Sequence, residues 1–149
     1  MSSNDGPGPA LSGRLGYLFK HAQLRMTELN EKALAPYGIN GRELAVLLVL
    51  AGHEPASQLQ VAQRLNVDRT TMVALLDTLE DKALVSRHPH AEDRRRNVVE
   101  LTETGRDILR RASTASDAAE RTFLAPLDAR AADQLRDSLR TIVTHPTVD

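Results

Sequence analysis

Between Ser57 and Gly105 the hydrophobic period changes twice, and few folds accommodate the result. Ser57 can cap a short segment with Leu59, Ala62 and Leu65 inward, and Asn66 supplies a turn. Asp68 caps the next segment, whose inner stripe is Met72, Leu75, Leu76 and Leu79. Two short helices joined by a tight turn are expected. The period of three to four then gives way to β-prone residues. Segments 84–88 and 97–102, with Val85, Val98, Val99 and Leu101, read as strands around a polar turn at 89–96. That turn carries Asp93, Arg94, Arg95 and Arg96 in succession.

Two braced helices followed by a hairpin are the order of a winged helix-turn-helix. A short helix supports the next so that its outer face protrudes, and an α-helix fits the ~12 Å major groove of DNA. The outer stripe of the second helix is Arg69, Thr70, Val73, Ala74 and Asp77. Arg69 can donate to guanine or phosphate. Thr70 and Thr71 can hydrogen-bond bases or phosphates, and Val73 and Ala74 offer apolar contact, as to a thymine methyl. Ser57 and Gln58 open the supporting helix and stand as further contact candidates. On the hairpin, Arg94, Arg95 and Arg96 form a cationic tip, and arginine suits the negative potential of a narrow minor groove. Asp93, two residues before Arg95, is placed to hold that guanidinium extended.

Helices flank this core. Leu11, Leu15, Leu18, Ala22, Met26, Leu29 and Ala33 mark one stripe of a long helix that Pro36 and Gly38 stop. Asn40 and Glu43 form a capping pair before a helix carrying Leu44, Leu47, Leu48 and Ala51. After the hairpin, Thr102 caps a helix with Ile108, Leu109, Ala112, Ala115, Ala119 and Phe123. Pro126 ends it, and Asp128 caps a last helix with Ala132, Leu135, Leu139, Ile142 and Val143 inward. The expected fold is mainly α with a small β-hairpin wing. It divides into a disordered leader (1–10), an N-terminal dimerisation helix (11–39), a winged helix-turn-helix (40–102) and C-terminal dimerisation helices (103–145). The winged part is too small to cover every flanking stripe. A twofold dimer would bury them and place two recognition helices ~34 Å apart on a pseudo-palindrome.

Composition removes other classes. A chain of 149 residues without cysteine has no disulfide, thiolate nucleophile or cysteine-based zinc site. The longest apolar run, 44–51, falls far short of the ~20 residues a bilayer helix needs. The first ten residues lack a basic and then apolar secretory pattern, so a cytoplasmic protein is expected. Net charge is −1, so nucleic acid must be met by a local patch. Sixteen arginines against three lysines favour planar, bidentate contacts. Nucleotide-binding, serine-hydrolase and zinc-protease motifs are absent, and His53-Glu54 runs into Pro55, which breaks a helical metal pair. The five histidines form no compact ligand cluster, so neither metal nor cofactor is expected.

The segments VAQRLNVDRTTMVALLDTLEDKALVSR and DRRRNVVELTETG resemble the MarR family of bacterial transcriptional regulators. The second is the more specific, through Asp93, Arg95, Leu101, Thr102 and Gly105. The resemblance covers residues 11–143. It implies a dimeric regulator, a repressor by expectation, on double-stranded DNA with a palindromic operator. It implies Arg95 in the minor groove, buttressed by Asp93, and the fourth helix as reader. It also implies a small aromatic or phenolic effector between the dimer helices and the winged domain. Tyr17, His21 and Arg25, spaced four apart on one helix face, are candidates to stack on a ring and pair an anion, with Arg87 at the wing base as another. The competing expectation is a winged-helix protein-interaction module without specific DNA binding.

Overall fold

The computed structural model describes residues 6–93 and 97–146. Among them the order is α1 (Pro9–Ser12), α2 (Leu15–Leu34), a 3-10 turn (Ala35–Tyr37), α3 (Gly41–Gly52), β1 (Ala56–Ser57), α4 (Gln58–Leu65), α5 (Arg69–Asp81), β2 (Val85–Pro89), β3 (Asn97–Leu101), α6 (Glu103–Leu124) and α7 (Ala129–Thr144). Every helix from α3 onward begins at a side-chain acceptor. Asn40 and Ser57 close reciprocal boxes with Glu43 and Gln60, while Asp68, Thr102 and Asp128 each accept the N–H three residues on. Regular structure starts at Pro9, inside the stretch expected to be a disordered leader, because proline suits the first helical position. The first long helix is also interrupted at Gly13 and Arg14 rather than running unbroken from Leu11.

The core sits inside the winged region. Leu47, Leu50, Met72, Leu76 and Val99 are fully buried there, and Leu34 from the end of α2 joins them. Of the residues expected inward, Leu135, Ile142 and Val143 on α7 are exposed, and within the winged region Leu48 is 51% exposed and Leu59 is 64% exposed. Val46, Leu50 and Val61 hold the covered positions instead. Each lies two residues from the misplaced leucine, and two residues are about 200° around a helix, so they cannot share its face. Along the frame, α2 packs lengthwise on α6, and α3 touches both α4 and α6.

The three strands form one antiparallel sheet in the order β1-β3-β2. Val85 faces Leu101 and Pro89 faces Asn97 in the hairpin, while Ala56 and Ser57 pair with Val99 and Val98. The hairpin lies where the sequence places it, within a residue. Strand β1 was not expected, because two residues carry no alternation.

The junction of wing and frame is close-packed. The Thr102 hydroxyl donates to the Ala83 carbonyl at 2.6 Å and accepts from the Gly105 N–H at 2.9 Å. A Cβ on Gly105 would lie 2.0 Å from the Leu84 carbonyl oxygen, so only glycine lets α6 approach this backbone. Glu54 ties the same region: one carboxylate oxygen accepts from the Leu101 N–H at 2.8 Å and the other from Arg106 at 2.6 Å. On the far side, buried Glu43 is paired with Lys82 at 2.7 Å, and the same ammonium reaches the Gly38 carbonyl at 2.7 Å.

Candidate nucleic-acid interface

Helix α5 is held by its inner face and free on its outer one. Met72, Leu76 and Leu79 are buried, Thr71 and Val73 are half-buried, and Arg69, Thr70 and Ala74 are exposed. The helix start is fixed by Asp68, whose carboxylate accepts from the Thr71 N–H at 2.7 Å and the Thr71 hydroxyl at 2.9 Å. Those two bonds, the backbone one first, hold the Asp68 carboxyl below its ordinary pKa. They also change the expected role of Thr71. Its hydroxyl proton is given to the cap, so of the two threonines only Thr70 is clear to donate outward.

A cleft of about 670 Å³ runs between α4 and α5 to Asn97 at the start of β3, lined by Ser57, Gln58, Gln63, Asn66, Arg69 and Val73 among others. Both supporting-helix candidates are partly engaged. The Ser57 hydroxyl accepts from the Gln60 N–H at 3.1 Å and keeps its own proton to donate. The Gln58 carbonyl oxygen accepts from Arg87 at 3.1 Å, which leaves its amide hydrogens as donors.

At the wing, the His90 Nδ1 accepts the N–H groups of Glu92 and Asp93 at 3.0 and 3.2 Å, which closes a tight turn after β2. Asp93 is half-buried. Arg94, Arg95 and Arg96, the expected cationic tip, lie outside the described residues.

The effector candidates separate into two groups. Tyr17 and His21 stack with ring centroids 4.2 Å apart at a 38° tilt, and exposed Arg25 is one turn further on. Arg87, the other candidate anion partner, is engaged within the chain. Its guanidinium meets Asp77 at 2.5 Å, Glu80 at 3.1 Å and Gln58 at 3.1 Å. These carboxylates, Glu80 foremost, raise the Arg87 pKa, and Arg87 lowers that of Glu80. Asp77 and Glu80, three apart on one helix, were the available signal for this network. A cleft of about 750 Å³ between α2 and α3 is lined by Gln23, Met26, Asn30, Arg42 and Ala45 among others, and by none of Tyr17, His21 or Arg25. Among the described residues no three His, Asp or Glu side chains gather as metal ligands.

A protruding helix with a polar, uncovered start, braced by a shorter helix and flanked by a hairpin, defines a winged helix-turn-helix protein. Residues 37–96 match the model of the MarR family. The HTH-type transcriptional repressor NicR of Pseudomonas putida is 29% identical over 96 residues, 64% of this chain and 61% of that protein, so the matched stretch spans less than two thirds of the repressor. A MarR-family transcriptional regulator from Rhodococcus sp. RHA1 superposes with a TM-score of 0.83 at 30% identity, over 95% of this chain and all of that one. The transcriptional repressor CouR bound to a 23-mer DNA duplex superposes with a TM-score of 0.86 at 34% identity, over 91% of this chain and 96% of that one. CouR from Rhodococcus jostii RHA1 bound to p-coumaroyl-CoA gives 0.80 at 30% identity, over 95% and 100%. The chain belongs to the MarR family.

Proposed function

We propose that this chain is a MarR-type transcriptional repressor that occupies a pseudo-palindromic operator as a homodimer and is released by a small aromatic effector. The observation that carries the reading is the outer face of α5. Arg69, Thr70 and Ala74 are uncovered at the helix end that a major groove admits, in a fold shared with a DNA-bound repressor. Arg69 and Thr70 are the base-reading candidates, with Val73 and Ala74 beside them. Gln58 and Ser57 donate to phosphate, and Asp93 with Arg94, Arg95 and Arg96 serves the flanking minor groove. Selection of bound fragments from the source genome is expected to return inverted half-sites about one helical turn apart. Affinity should fall steeply with salt, because several phosphates lose counterions on binding. A sample that enriches no sequence and shows no salt slope would fit the rival reading, a winged-helix module that docks on protein alone.

The dimer follows from what the chain leaves uncovered. Leu15 is 70% exposed, Phe19 49%, Ile142 66% and Val143 80%. Exposed apolar side chains gathered on terminal helices are the usual mark of an interface. A compact 16.4 kDa species in sedimentation at micromolar concentration would remove the twofold arrangement.

CouR bound to p-coumaroyl-CoA supports an effector with an aromatic acyl part. Tyr17, His21 and Arg25 supply a ring stack and a cation on α2 for such a molecule. Phenolic acids are then expected to weaken DNA binding, and Arg25→Ala to remove that response; an unchanged response would exclude Arg25. The reading assigns no catalysis. No single helix among the described residues is long and apolar enough to cross a membrane, and the proposed work is on cytoplasmic DNA.

A further inference from the structure

The recognition helix carries three carboxylates, and two of them, Asp77 and Glu80, lie beside a surface that is to meet phosphates. By charge alone they oppose DNA binding. Their surroundings point to another role. Arg87 leaves strand β2 and inserts between the two helices of the helix-turn-helix, with its side chain only 19% exposed. Its backbone N–H donates to Glu80 Oε2 at 3.2 Å, and its guanidinium donates to Glu80 Oε1 at 3.1 Å, Asp77 Oδ1 at 2.5 Å and Gln58 Oε1 at 3.1 Å. One planar fork therefore joins the wing, the recognition helix and the supporting helix. Such charge-assisted, multidentate bonds fix direction as well as distance.

We propose that Arg87, Asp77, Glu80 and Gln58 form a positioning set that sets the wing's angle against α5, so that helix and wing meet the duplex as one rigid surface. The proposal rests on the DNA-binding reading above. None of the four needs to touch a base for this role. Strand β3 is tied to the core and to β1 through Val98 and Val99, but β2 itself has little else to hold it to α5: Ser86, His88 and Pro89 are exposed, and Val85 is its buried residue. A wing free to tilt keeps its fold but loses its reach.

The test turns on a sign. The double variant Asp77→Asn, Glu80→Gln removes two negative charges per protomer and nearly preserves shape. If these carboxylates were only surface charges, or if Arg87 reached phosphate directly, the variant would bind its operator at least as tightly as the parent. Positioning predicts weaker binding, on the order of ten-fold, despite the more favourable charge. Arg87→Lys keeps the cation and loses the fork, and is expected to weaken binding in the same way. The second readout is the slope of log affinity against log salt. Loss of wing contacts lowers that slope, since each phosphate contact contributes about 0.9 to it. A merely less-folded sample lowers the active concentration and leaves the slope unchanged. Combining Arg87→Lys with the carboxylate pair should add little, because one network is removed once.

The parent, on an operator selected from genomic fragments, separates the two readings. A parent that binds no DNA takes down the functional reading and this one with it. A parent that binds, beside variants of equal or higher affinity or unchanged slope, overturns the positioning role alone. Weaker binding with a reduced slope in both variants, at an unfolding midpoint near the parent's, establishes it.

Discussion

The winged region and the helical frame obey different rules of completion. In the winged region Leu47, Leu76 and Val99 have no exposed surface, and helix ends are closed by Asn40, Ser57, Asp68 and Thr102. In the frame, α7 has no buried residue at all, and α2 buries only Leu34 at its end. Both parts are helical, and α6 and α7 of the frame are capped as the winged helices are, so secondary structure does not separate them. Burial does. The winged region is finished within one chain, whereas the frame presents an apolar face that the described residues leave uncovered. A reader of DNA built this way has its reading heads complete and their spacing decided elsewhere.

The largest expected effect attacks that division directly. Ile142→Glu with Val143→Glu places charges on the most exposed apolar residues of α7. If this face joins two copies, sedimentation should show a monomer. Operator affinity should then fall by roughly 10²–10⁴-fold, the gain that linking two half-site contacts provides. The winged region should unfold as before, since neither side chain enters its core. A variant that stays dimeric with full affinity would show that the frame is completed by other surfaces.

Much of the winged region was legible because its determinants are local. A cap, a hydrophobic period and a turn residue lie within a few positions of one another, as at Asp68, Met72 and Asn66, and each acts through the backbone next to it. Contacts that cross the chain were not legible. Glu54 meets the Leu101 N–H 47 residues away, and Lys82 meets Glu43 across 39. No sequence period encodes such distances. Arg87 shows the boundary between the two cases: its basic character was visible, but its partners were set by the turn that brings β2 back along α5. Leu48 and Leu59 failed for a different reason. Hydrophobicity names candidates for a covered face, but neighbouring elements decide which face is covered.

A smaller effect sharpens the comparison at the seam between the two regions. Gly105→Ala puts a methyl group 2.0 Å from the Leu84 carbonyl oxygen, which belongs to backbone and cannot rotate away. Helix α6 must shift outward, and overpacking of this kind costs about 1–3 kcal/mol or more. Denaturant unfolding of the purified protein measures it. A loss of this size shows that α6 is fitted to the winged region as tightly as the core is fitted to itself. Parent-like stability would instead place the division at Thr102, with α6 able to slide.

The smallest expected effect concerns the rim of the winged region, at Asp68. Its carboxyl is held below the ordinary value by the Thr71 N–H first and the Thr71 hydroxyl second. For an acid with a lowered folded pKa, the contribution to stability is complete above the unfolded value of about 4. It is lost as pH falls through the lowered folded value. Asp68→Asn keeps a good capping residue but removes the titration. The variant and parent should therefore unfold alike near neutrality. Their stabilities should diverge only below about pH 5, where the parent takes up a proton and loses the cap's contribution while the asparagine variant does not. Acid unfolding followed by far-ultraviolet circular dichroism reads the difference. Curves that stay parallel to the acid end would mean that this cap carries no linkage to protons, and that the Thr71 bonds to Asp68 add nothing to the stability of the winged region.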